Sequence, residues 1–86
     1  MSLLSNLYQL RRDMKSLENY LRQTEAKLNT SIESMKNSLQ IDAVSYKEAE
    51  LIKVRDNIKE MIRKINNSII PNIDSEIEDL EEDDDD

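Results

Sequence analysis

Apolar residues return along this chain in steps of three and four, from Leu3 to Leu39 and again from Leu51 to Leu80, and no glycine falls anywhere among them. In the first half the series runs Leu3, Leu7, Leu10, Met14, Leu17, Leu21, Leu28, Ile32, Met35 and Leu39. Such spacing lines one side of an α-helix and makes the seam of a coiled coil, whereas a half-buried strand would alternate every second residue. Thr24 takes the seam position between Leu21 and Leu28, and the step from Leu28 to Ile32 shifts the stripe as a stutter does. Leu4, Tyr20 and Ala26 widen the face beyond a two-stranded zipper, with Tyr8 and Tyr20 expected as packing residues at the seam edge.

The second half repeats the plan with Leu51, Val54, Ile58, Met61, Ile62, Ile65, Ile69, Ile73, Ile77 and Leu80. From Ile65 to Ile77 the steps are all of four, so on a regular helix the stripe would drift around the axis. Pro71, the single proline, lies inside that segment and lacks a backbone donor, which predicts a kink or a break followed by a short last turn.

Between the halves, "QIDAVS" brings Asp42 and Ser45, both good helix caps, and Ser45 with Glu48 fits a capping box. The expected plan is therefore helix one over about 2–39, a corner over 40–45 and helix two over about 46–80. Residues 81–86, "EEDDDD", are expected to be a disordered acidic tail. Helices of similar length on a short connector form an antiparallel hairpin. Each helix then covers only one side of the other, so the fold class is all-α, a coiled-coil-like hairpin that completes a four-helix bundle with a protein partner. The partner surface is expected on Leu7, Leu10, Met14, Leu17, Leu21, Leu28, Ile58, Ile62, Ile65 and Ile69. Whether the second hairpin is identical, giving a homodimer, or different, giving a heterodimer, is not written in the spacing.

Composition narrows the function. The 86 residues contain no cysteine and no histidine, which removes the usual thiolate and imidazole from nucleophilic, acid–base and structural zinc chemistry. No enzyme activity, metal or cofactor is expected. No apolar run exceeds two residues and no basic segment precedes the first leucines, so stable membrane insertion and a cleaved signal peptide are not expected and a cytoplasmic location is. Residues 71–86 hold ten acids and no base, while residues 1–70 hold nine acids against all twelve Lys and Arg. A strongly anionic end without an aromatic-laced basic stripe argues against nucleic acid. The tail also lacks the glycine turn and spaced ligands of a calcium loop. Glu18 with Arg22, and Asp56 with Lys59 and Glu60, look like charge on exposed helix faces.

One short pattern remains. Tyr46 and Glu50 form Tyr-x-x-x-Glu at the start of helix two, one turn apart, so a ring and a carboxylate can be presented together. They can equally be a residue shielding the turn and an acid near a positive helix end. With this pattern, the small, acidic, cysteine-free helical hairpin resembles the WXG-motif family of bacterial type VII secretion, and more closely the small helical partners of LXG-type toxins. The resemblance implies a hairpin that pairs with another helical protein or a toxin's N-terminal helical domain and directs it to the secretion machine, with export without a cleaved signal peptide. It further implies that Tyr46 and Glu50 are the export or recognition signal. This chain has Gln40 to Ser45 where that family has Trp-x-Gly, and its Tyr-x-x-x-Glu opens helix two instead of following it. The reading from the residues alone is a coiled-coil subunit or adaptor of a larger complex, with a secretion chaperone as a third possibility.

Overall fold

Ser2 opens the first helix. Its backbone is extended (φ −80°, ψ 157°), and its Oγ accepts a hydrogen bond from the Ser5 backbone N–H at 3.0 Å, satisfying one of the donors that a helix start leaves free. From there α1 runs over Leu3–Lys36. The structure, a computed structural model, describes residues 2–37 and 41–84. After α1 come α2 (Ile41–Lys64), a π-turn (Ile65–Ile69) and α3 (Ile70–Asp84). The last three follow one another without a gap and form the second arm of an antiparallel hairpin whose extents are 68 × 17 × 15 Å.

The second arm begins earlier than the capping residues suggest. The first helix stops at Lys36, where the Asn37 N–H bonds to the Glu33 carbonyl at 3.2 Å, and Leu39 lies outside the described residues. The second arm starts at Ile41, not Tyr46. Ser45 therefore stands one turn inside a helix, where the N–H that Glu48 was to cap is already at a position to bond the carbonyl one turn back. The capping box is corrected accordingly. With no glycine or proline between Ile41 and Ile70, nothing in the backbone obliges α2 to wait for Ser45.

Pro71 neither breaks the arm nor ends it. An α-helix passing through it would lose the bond to the Asn67 carbonyl and crowd that carbonyl with the pyrrolidine ring. Instead, the turn before the proline widens, and the Ile70 N–H reaches back five residues to the Ile65 carbonyl. The widened turn absorbs one residue more than an α-turn. Consequently, among the described side chains of the second arm, the buried ones are Ile58, Ile62 and Ile65, then Ile70, Ile73 and Ile77. Ile69, the expected member of the stripe, is 39 % exposed, whereas Ile70 is 8 % exposed.

Ile32 is the one α1 residue that is fully buried; Leu4, Leu7, Met14, Leu21, Leu28 and Met35 are half-buried. The core is thus a single line of isoleucines under a row of leucines and methionines, thin for a chain this size. Helix α3 continues to Asp84, past the expected end at Leu80. Ile77 and the half-buried Leu80 carry it there, so residues 81–84 are helical and the disordered-tail expectation is corrected for them.

Candidate functional site

A two-helix hairpin has two long grooves, one on each open side, and here they differ in chemistry. At about 100° per residue, Tyr8, Arg11, Lys15 and Asn29 fall to one side of the line by which α1 meets the second arm, and Leu10, Leu17 and Tyr20 fall to the other.

The first side is polar and carries the ties across the hairpin. Arg11 Nε donates to Asp74 Oδ1 at 2.5 Å, Arg55 Nη1 donates to Asn29 Oδ1 at 3.2 Å, and the Tyr8 hydroxyl donates to Glu81 Oε1. That bond, then desolvation, then the nearby Glu81 charge raise the Tyr8 phenol above its ordinary value of 10.0. Beside these ties lies a shallow groove of about 340 Å³, lined by Arg11, Lys15, Glu18, Asn19, Asn66 and Ile70. The other charge pairs among the described residues are local. Arg22 meets Glu18 at 2.8 Å as expected, but Asp56 pairs with Arg55 at 3.2 Å and Glu60 with Arg63 at 3.0 Å.

The second side is apolar. Met14, Leu17, Leu21, Met61, Ile65 and Ile69 line an open groove of about 280 Å³ whose polar edge is Lys64. Large apolar side chains continue beyond it, with Leu3, Leu10, Leu17, Val54, Met61 and Ile69 between 39 and 62 % exposed.

The ten expected partner-surface residues are thereby divided. Ile58, Ile62 and Ile65 are buried within the hairpin and Leu7, Met14, Leu21 and Leu28 are half-buried, while Leu10, Leu17 and Ile69 are exposed on the apolar side. Leu3, Val54 and Met61 belong to that exposed set but not to the expected one. Their signal was present as heptad spacing, Leu3 to Leu10 to Leu17 and Val54 to Met61, but spacing alone does not separate a seam used within the chain from one left open.

Tyr46 and Glu50 line neither groove. Both are exposed on the second and third turns of α2, with Tyr46 at 71 %, so the pair is presented to solvent near the corner. Among the described residues there is no grouping of three or more acidic, cysteine or histidine side chains fit to hold a metal ion, and no helix long and apolar enough to cross a membrane. Compared with known protein families, curated proteins and solved structures, the chain matches none.

Proposed function

We propose that this chain is a non-enzymatic binding protein that works by helix packing, a small partner, targeting factor or substrate of bacterial type VII secretion that joins another helical protein or an LXG-type toxin domain. The observation that carries the reading is the placement of Tyr46 and Glu50. They are side by side one turn apart, exposed, and clear of both grooves, so a receptor could read them while a helical partner occupies the apolar side.

The test compares export with stability in the native host. Tyr46→Ala and Glu50→Ala are each expected to abolish export or capture of the partner while the melting curve stays close to wild type, because neither side chain takes part in the core. Unchanged export in both variants would refute the secretion reading. The second reading, a coiled-coil subunit or adaptor of a larger complex, is favoured by the long apolar side, which needs no signal residue. It is distinguished by the reciprocal result, in which Tyr46→Ala and Glu50→Ala are silent while Leu17→Asp removes the chain from its complex.

A further inference from the structure

We infer that the apolar side of the hairpin docks a second copy of the same chain, antiparallel to the first, about a two-fold axis near Leu17 and Ile69. This rests on the reading of the chain as a helix-packing module, though not on export. The first ground is geometry. The exposed apolar residues form a diagonal ridge, on α1 at the open end of the hairpin (Leu3, Leu10, Leu17) and on the second arm toward the corner (Ile69, Met61, Val54). Leu17 and Ile69 face each other across the groove. Leu10 lies about 10 Å from that centre toward the open end and Met61 about 12 Å toward the corner, at 1.5 Å per residue. Leu3 and Val54 lie about 21 and 22 Å away, again on opposite sides. A two-fold rotation therefore brings Leu10 of one copy to Met61 of the other and Leu3 to Val54, which is the condition for a self-complementary surface. The π-turn keeps this match. By absorbing one residue, it leaves Ile69 on the ridge below Met61 while Ile70 turns into the core.

The second ground is area. A folded chain of 10.1 kDa has about 5,300 Å² of accessible surface by the usual scaling with mass. This one exposes 6535 Å², an excess of roughly 1,200 Å². An excess of this size goes with the 68 × 17 × 15 Å rod shape, and two such rods lying side by side would cover surface of the order found in obligate dimers. The third ground is charge. Residues 2–16 and 70–84 share the open end and together hold nine acids against three bases. A parallel copy would set two such ends side by side, whereas an antiparallel copy holds them at opposite ends of the assembly.

The absence of cysteine makes the orientation directly testable in the full chain. Light scattering after size exclusion at micromolar concentration is expected to give twice 10.1 kDa, and Leu17→Asp to give the single mass. In Leu10→Cys/Met61→Cys the two thiols of one chain are about 22 Å apart along the hairpin and cannot join each other. Mild oxidation is expected to convert most of that variant to covalent dimer, and to leave Leu10→Cys alone uncrosslinked. A single mass for the wild-type chain with a cooperative thermal transition would overturn the inference and leave the ridge to a different helical protein. Efficient crosslinking of Leu10→Cys alone, without that of the double variant, would overturn the antiparallel arrangement. Neither result depends on the export assay of Tyr46 and Glu50, so the two readings fail separately.

Discussion

Ile69 and Ile70 are neighbours of identical chemistry with opposite surroundings, one on the open ridge and one under α1. Truncating the buried one leaves a cavity among Ile65, Ile73 and the facing α1 side chains; truncating the exposed one removes little that the single hairpin uses. Ile70→Ala is expected to cost about 2–5 kcal/mol in a denaturant titration at low protein concentration, where a large-to-small change in a core normally falls. Ile69→Ala should cost under about 1 kcal/mol there, as surface substitutions do, and should act at higher concentration through loss of association. Equal losses at low concentration would show that the two residues share one environment. The difference between them was not legible in the sequence. A four-residue step from Ile65 points to Ile69, and only the hydrogen bond from the Ile70 N–H to the Ile65 carbonyl moves the assignment by one. The start of the first helix was legible to within a residue, about 2 against Leu3, because the apolar repeat begins there.

At the scale of elements, helices and hairpin follow from periodicity, since a three-four repeat without glycine leaves the backbone no better option. Two details escaped because each depends on a competition. At the corner, Ser45 is a good cap, but a cap is worth only about 1 kcal/mol, and four more helical residues before it outweigh it when no breaker intervenes. Near the end, Pro71 signals disruption without saying which form it takes. The π-turn accommodates the proline and one surplus residue together, which leads to an unusual expectation about deletions. Removing Ser68, with Pro71→Ala to restore the donor, gives Ile65, Ile70, Ile73 and Ile77 the regular spacing of an α-helix. That variant should keep wild-type helicity by circular dichroism and be at least as stable in urea. Removing Glu60 from the regular helix turns every following side chain by about 100° and should abolish the cooperative transition. If both deletions are equally damaging, the turn does not absorb a residue in the way its hydrogen bonding indicates.

Across the whole molecule, the division of labour between the two open sides decides how the hairpin can be used. Polar ties hold α1 to the second arm on one side, and the apolar ridge is free for packing on the other, so a partner can dock without displacing Arg11–Asp74 or Tyr8–Glu81. The acidic end works against this economy. Glu78, Asp79, Glu81 and Glu82 crowd the last turns of α3, where the helix dipole already disfavours negative charge and where like charges one turn apart repel. Such repulsion between exposed groups is screened with a Debye length of about 10 Å at 0.1 M salt and about 3 Å at 1 M. The melting temperature of the full chain should therefore rise with added sodium chloride at neutral pH. A chain ending at Leu80 should melt no lower than the full chain at low salt and respond to salt much less, since it loses the six residues "EEDDDD" along with the Tyr8–Glu81 bond. That bond is solvent-exposed at both partners and water competes for it, so the lost repulsion is expected to prevail over the lost contact. A clear fall in melting temperature at low salt on truncation would reverse that ordering and make Glu81 a fastener of the open end.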